Sequence, residues 1–252
     1  MLRRIALILT LTTSPALAED VVLGLSQDEV AITTNFDGSD ILIFGAIKRE
    51  APVPSGDPIE VVVTVSGPSV PVTVRRKEKR YGIWVNVDSV EVDSAPSFYA
   101  VATTAPFDQV LRDVEDLRYR VSIPRAIRSV GAPQNVMDSQ SFTEAVIRVR
   151  SNENLYQLLP GSVSIDEQTL FRTDIDMPAN LTEGAYAIRV LLTRDGSVVS
   201  DYETTIDVRK VGLERWLFSL SREQPLVYGL MSLAIAIAAG WGASAVFRLV
   251  RP

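Results

Sequence analysis

Near its C-terminal end the chain reads "LVYGLMSLAIAIAAGWGASAVF", residues 226–247, without one charged side chain. No other stretch constrains the fold as strongly. About 22 residues at 1.5 Å each make a helix of roughly 33 Å, enough to cross the hydrocarbon core of a bilayer. In lipid the backbone groups must be satisfied within the chain itself, so a single run of this kind is a helix. Pro225 suits the first helical position, where the amide that it lacks has no partner anyway. Tyr228 and Trp241 are amphipathic rings suited to the interfaces, and Arg248 and Arg251 follow the run as the positive-inside rule asks. We expect a transmembrane helix over 225–247 and a short cytoplasmic tail over 248–252.

This run is rich in alanine and glycine, although larger residues would be no less soluble in lipid. Between membrane helices, bulk does not drive association, because lipid tails are as apolar as leucine; small residues promote it by letting backbones approach. Ser232, Ala236, Gly240 and Ser244 recur at intervals of four and share one helical face. The pattern predicts a packing face for another membrane helix. The plainer alternative is a tether that merely tolerates alanine.

The opening, "MLRRIALILTLTTSPALAED", has a basic start at Arg3 and Arg4, a short apolar core and a small-x-small site at Ala16 and Ala18. That is the pattern of a signal peptide over 1–18. Export followed by a stop-transfer span puts the bulk of the chain in the periplasm, anchored by a single pass in a bacterial inner (plasma) membrane.

The chain has no cysteine and no histidine. A Ser-His-Asp triad, a thiolate nucleophile and a Cys/His metal site are therefore excluded. Its 25 basic and 31 acidic residues give a net charge of −6, which argues against nucleic acid as a partner. No cofactor is expected. Paired carboxylates remain open as hydrolytic machinery. Asp174 and Asp176 alternate along a strand near Asp166 and Glu167, but no loop has the regular ligand spacing of a calcium site.

Between the two ends the chain reads as mainly β. "EVAITTNF" and "DILIFGAIK" flank Asp37-Gly38, a good tight-turn pair. "IEVVVTVSG", "VPVTVRR", "YGIWVNVD" and "SFYAVATT" follow, and residues 19–105 are expected to form a periplasmic antiparallel β-sandwich domain. In "FDQVLRDVEDL" the spacing of Val110, Leu111, Val114 and Leu117 predicts one short amphipathic helix, with Asp108, Asp113, Glu115 and Asp116 on its wet face. It lies in a helical and irregular connection over 106–140. "SFTE" at 141–144 fits a capping box and favours a helix there, although "AVIRVR" alternates like a strand.

Strands return in "GSVSIDEQ", "LFRTDIDM", "GAYAIRVLLTR" and "SVVSDYETTIDVRK", the last two joined by Asp195-Gly196 in a type I′ turn. Residues 141–210 are read as a second periplasmic β domain. The expected fold is thus two immunoglobulin-like antiparallel β-sandwich regions, a short helical connection and one C-terminal transmembrane helix. Tyr186, entering a late strand after a glycine, fits a tyrosine corner.

Two further features point to the membrane. In 211–224, Leu213, Trp216, Leu217 and Leu220 form one helical stripe beside Arg215 and Arg222, the pattern of a juxtamembrane helix lying in the lipid interface. "RRKEKR" at 75–80 places Arg75, Arg76, Lys77, Lys79 and Arg80 at an exposed hairpin. Such a cluster suits anionic lipid headgroups or an acidic partner surface, and otherwise is a solvated basic turn.

Three segments, "VVLGLSQDEVAITTNFDGSDILIFGAI", "GIWVNVDSVEVDSAPSFYAVATT" and "LTEGAYAIRVLLTRDGSVV…VRKVGLERWL", resemble a family of transmembrane proteins of alphaproteobacteria. The resemblance covers nearly the whole chain after residue 18 and rests on long loose patterns rather than a catalytic motif. It carries no functional residues over. Genes of that family tend to lie beside permeases of the sulfite-exporter type, which implies an integral membrane protein partner. The residues favour a non-enzymatic accessory or assembly module. A ligand-capture or sensor domain is the alternative, and a carboxylate-dependent hydrolase a third.

Overall fold

The computed structural model describes residues 19–27, 29–32, 37–49, 58–129, 138–210 and 213–250. The expected signal peptide lies outside them, as do Arg251 and Pro252. Twelve strands and six helices are present among the described residues. One sheet has the order β1 (Glu19–Leu25), β3 (Gly38–Arg49), β10 (Leu170–Pro178), β9 (Ser164–Asp166). A second has the order β2 (Glu29–Ile32), β12 (Ser197–Lys210), β11 (Gly184–Arg194), β4 (Glu60–Ser66), β7 (Tyr99–Thr103), β8 (Tyr156–Pro160).

The two sheets face each other across one core. Ile41, Ile43, Ile47, Phe171, Ile175 and Met177 of the first sheet meet Val61, Val63, Val65, Ile188, Val190 and Ile206 of the second. β10 alternates buried and exposed along its whole length, as a strand with one wet face must. β4 does not alternate: its central residues Val61, Val62, Val63, Thr64 and Val65 are all buried. The second sheet is covered on both sides, and the run "VVVTV" is the sequence mark of that. Its outer face packs Val62, Tyr99, Val101 and Leu191 against Val110, Leu111, Val121 and Val146 from the helical segment.

The mainly β class stands, and so does the apolar C-terminal helix, the one candidate span among the described residues. The division at 106–140, however, does not separate two β domains. β3 pairs with β10, β4 with β11 and β2 with β12. Strands from both sides of the expected connection thus share both sheets. The physical reason is that β3 and β4 have open backbone edges until the downstream strands arrive. Most pairings are antiparallel, but β2–β12 and β7–β8 are parallel. The second of these needs a crossover, and the helices of 106–152 supply it. Nor do β2 and β3 form a hairpin around Asp37-Gly38, since they lie in different sheets.

The helical segment departs from expectation in detail. α1 (Phe107–Val110) and α2 (Asp113–Tyr119) replace one continuous helix. Leu111 and Arg112 between them are extended, and the Arg112 N–H donates to Gly196 O at 2.9 Å while its guanidinium meets Asp195. Capturing the Asp195-Gly196 turn breaks the helix. Val110 and Leu111 are buried as predicted, whereas Val114 and Leu117 are exposed. Asp116 is buried rather than wet: its Oδ1 accepts from the N–H groups of Val121 at 3.1 Å and Ser122 at 2.7 Å. α3 (Ile123–Ala126) follows, and then α4 (Ser139–Asn152). The helix expected around 141 is therefore present, but its N-cap is Asp138, which accepts from Ser141 N–H, rather than Ser141 itself.

The Asp195-Gly196 turn has positive φ at both residues, as type I′ requires. The Tyr186 hydroxyl donates to Thr182 O at 2.8 Å, four residues upstream, in the manner of a tyrosine corner.

Candidate functional site

β4 and β7 do not end at the edge of their sheet. Ser66 pairs with Tyr99, Gly67 N–H donates to Phe98 O at 2.9 Å, Ser97 N–H donates to Pro68 O at 2.8 Å, and Ser69 pairs with Pro96. The ribbon passes through Gly67-Pro68 and continues as β5 (Ser69–Arg80) and β6 (Ile83–Pro96), a two-stranded arm. From Pro68 to the turn at Tyr81-Gly82 the extended chain spans roughly 40 Å at ~3.3 Å per residue.

The root of the arm is braced. Val90 and Val92 are fully buried, and Ser94 and Arg128 exchange backbone hydrogen bonds of 3.1 and 2.8 Å. α4 lies against β5, and Arg76 fastens its N-terminus. The Arg76 guanidinium sits 4.6 Å from the centre of the Phe142 ring and donates to Ser141 Oγ at 2.7 Å. It also pairs with Asp88 at 3.7 Å and Asp138 at 3.4 Å. Ser141, ahead of Arg76, holds the Asp138 carboxyl below the usual carboxylate range.

Beyond Arg76 the arm is bare. The register slips by one residue between Arg76 and Lys77, a bulge that twists the last turn of ribbon. Lys77 then pairs with Asn86, Glu78 with Val85, Lys79 with Trp84 and Arg80 with Ile83. Tyr81 is fully exposed, Ile83 is 65% exposed and Trp84 is 68% exposed. The basic cluster expected at a hairpin turn thus lies along strand β5 leading to it. One of its five cations, Arg76, is structural. Arg80 pairs with Glu78 at 3.4 Å on the surface, and no ion pair among the described residues engages Lys77 or Lys79. The sequence pointed to the charges but missed the aromatic tip. The available signal was that "YGIWV" carries large apolar residues at successive positions, so one or the other face had to be left uncovered.

α5 (Leu213–Glu223) and α6 (Pro225–Val250) follow the last strand. Trp216 and Phe218 of α5 are exposed, and the Arg222 guanidinium lies 5.5 Å from the Phe218 ring. Leu217 and Leu220 are half-buried, while the side chains of Leu213 and Arg215 lie outside the described residues. α6 begins at Pro225 as expected. Its segment Pro225–Ser244 is long and apolar enough to cross a membrane, and among the described residues none of that span is buried. Ser232, Ala236, Gly240 and Ser244 are all exposed. A methyl group added at Gly240 would meet nothing within 4 Å.

One cleft lies at the root of the arm, with a volume of about 250 Å³. Ser66, Ser69, Tyr99, Arg120, Arg189 and Glu203 contribute to its wall. Arg189 and Glu203 are directly opposed on β11 and β12. Arg189 Nε is buried without a hydrogen-bond partner. The Tyr99 hydroxyl donates to Val121 O at 2.8 Å, and burial pushes its pKa up to about 12 against the opposing pull of Arg189. Asp174 and Asp176 are away from this cleft, exposed on the outer face of β10 opposite Leu42 and Asp40. Among the described residues no group of three or more acids gathers at a point.

A β-rich body carrying one uncovered apolar helix defines a membrane-anchored protein class. The chain belongs to the family described as "Putative transmembrane protein (Alph_Pro_TM)", which matches residues 20–249. No curated protein matches it.

Proposed function

We propose that this chain is a non-enzymatic accessory subunit of the bacterial inner membrane. Its β body stands in the periplasm, and α6 packs against a multispanning partner such as a permease of the sulfite-exporter type. The observation that carries the reading is α6 itself. Among the described residues none of its span is buried, yet it aligns Ser232, Ala236, Gly240 and Ser244 on one exposed face. Such a face gives close backbone approach to a second membrane helix.

The test is affinity purification of the full chain from crosslinked native membranes, beside a version with an unrelated span. A multispanning protein recovered only with the native span supports the reading. Equal recovery, or none, removes it.

A second reading, ligand capture, draws on the cleft. An unpartnered Arg189 Nε beside Tyr99 and Arg120 is suited to a small anion. Titrating the full chain with inorganic sulfate, and then the Arg189→Gln variant, tests it. Saturable binding lost in the variant favours capture.

A further inference from the structure

We propose that the tip of the β5–β6 arm is a second membrane contact, with Tyr81, Ile83 and Trp84 seated in the interface of an anionic lipid surface beside the α6 anchor. The proposal rests on α6 being the membrane span, but not on any protein partner.

Position comes first. Pro68, where the ribbon leaves its sheet, lies against Gly184, and Gly184 pairs with Val208 of β12. Two residues after Val208, β12 ends, and the chain runs on to α5 and α6. The arm therefore departs from the same end of the sandwich that delivers the chain to the bilayer. The anchor keeps that end close to lipid, within the reach of a ribbon of this length.

The chemistry of the tip agrees. Tryptophan and tyrosine are the side chains enriched at membrane interfaces, where an apolar ring and a polar edge are both satisfied. Lys79 is directly opposite Trp84 and Arg80 directly opposite Ile83, so cations flank the apolar residues as headgroup contact requires. Between Lys77 and Asn86 there are three cations and one carboxylate, in a chain that is acidic overall. Lys77 and Lys79 are without ion pairs among the described residues.

The turn adds an independent argument. Tyr81 has φ +51 and Gly82 φ +85, a two-residue type I′ turn. Asparagine is the natural occupant of its first position, because a larger side chain with positive φ is strained. A tyrosine there, fully exposed, is a local stability loss that no burial of its ring offsets. Strain of that kind points to function at the tip.

The chain has no native cysteine, so one introduced thiol reports one place. The full chain, with an environment-sensitive fluorophore on Ile83→Cys, is reconstituted in nanodiscs containing lipids that carry a quenching nitroxide on the acyl chain. Discs hold either phosphatidylcholine alone or phosphatidylcholine with about one-third phosphatidylglycerol. Labels at Ser162→Cys, at the far end of the second sheet, and at Leu230→Cys, in α6, serve as controls.

We expect the α6 label to be quenched in both discs and the Ser162 label in neither. The arm label should be quenched severalfold more in the anionic discs, with the difference lost near 1 M salt, where the Debye length falls to about 3 Å. Lys77→Glu with Lys79→Glu should abolish that difference. Tyr81→Asn should lower arm quenching while leaving the unfolding midpoint unchanged or raised, which a merely structural tyrosine would not do. An unquenched arm label beside a quenched α6 label overturns the lipid contact and gives the tip to a protein surface. Arm quenching that ignores lipid charge, salt and all three substitutions also overturns it, as simple proximity. An unquenched α6 label overturns the span and the arm contact together.

Discussion

Pro68 rests directly on Gly184: a methyl group built on Gly184 would stand 2.7 Å from Pro68 Cγ. This contact is the joint between the arm and the sandwich. Three constraints meet there, namely the ribbon's exit, the start of β11 and the last turn of β12. Gly184→Ala must either push Pro68 away or distort β11, whose φ at this residue is +150. We predict a loss of about 1–3 kcal/mol, the usual range for overpacking. Urea unfolding of the detergent-solubilised chain measures it, and an unchanged midpoint would show that the joint is loose.

The Tyr99 hydroxyl predicts an alkaline limit. Burial raises its pKa from 10.0 to about 12. A raised folded pKa means that the neutral form is the one the fold holds. The stabilisation is thus complete below pH 10, the unfolded value, and is lost as pH rises through about 12. A shift of this size corresponds to roughly 2–3 kcal/mol. Tyr99→Phe should remove this pH dependence. It should also lose the hydrogen bond to Val121 O, so its stability at neutral pH falls by about 1 kcal/mol. Urea midpoints between pH 7 and 11.5 for both proteins decide the matter.

Arg76 fastens α4 to the arm through a planar group that stacks on Phe142 while bonding Ser141. Lysine carries the charge but neither the fork nor the flat face. We expect Arg76→Lys and Arg76→Ala alike to speed hydrogen exchange in the first turn of α4, with little change in β11. Rescue by lysine would mean that charge alone matters, through Asp88 and Asp138.

Asp116 is a buried carboxylate whose Oδ1 takes two N–H groups at the end of α2. Asp116→Ala leaves the amides of Val121 and Ser122 without that acceptor, at a cost of about 1–3 kcal/mol. Asp108→Ala, at an exposed site, should change stability by less than about 0.5 kcal/mol. Denaturant unfolding of the pair separates the buried cap from the wet face.

That contrast also shows where the sequence was readable. Helix against strand, the Asp195-Gly196 turn and the apolar span depend on residues within a few positions of each other, and they were legible. Partner choice was not. Nothing near β3 announces that its neighbour is β10, some 130 residues on, so one shared sandwich read as two. Asp116 looked solvated because helical periodicity locates a face but not what covers it. The same gap hid the tip: alternation in "IWVNV" describes two faces without saying that Ile83 on one and Trp84 on the other are both exposed. The long apolar helix that carries Ser232, Ala236, Gly240 and Ser244 on one face was legible from composition alone, whereas what packs on it is not written in the residues of one helix.

That face gives the last prediction. Gly240 has open space where a side chain would grow, so Gly240→Leu leaves the chain's own packing intact. Against a second helix the same change replaces close backbone approach with bulk. Ala238 is two residues away and projects from the opposite side of the helix, so Ala238→Leu adds comparable bulk away from the stripe. In native membranes we expect Gly240→Leu to lower recovery of a crosslinked multispanning partner by roughly tenfold, matching the 1–2 kcal/mol of a lost helix–helix contact. Ala238→Leu should leave recovery unchanged, and both variants should remain in the membrane fraction. Equal loss in the two would assign the effect to bulk in the span rather than to the stripe formed by Ser232, Ala236, Gly240 and Ser244. Equal recovery would leave α6 as a tether and transfer the accessory role to the β body and its arm.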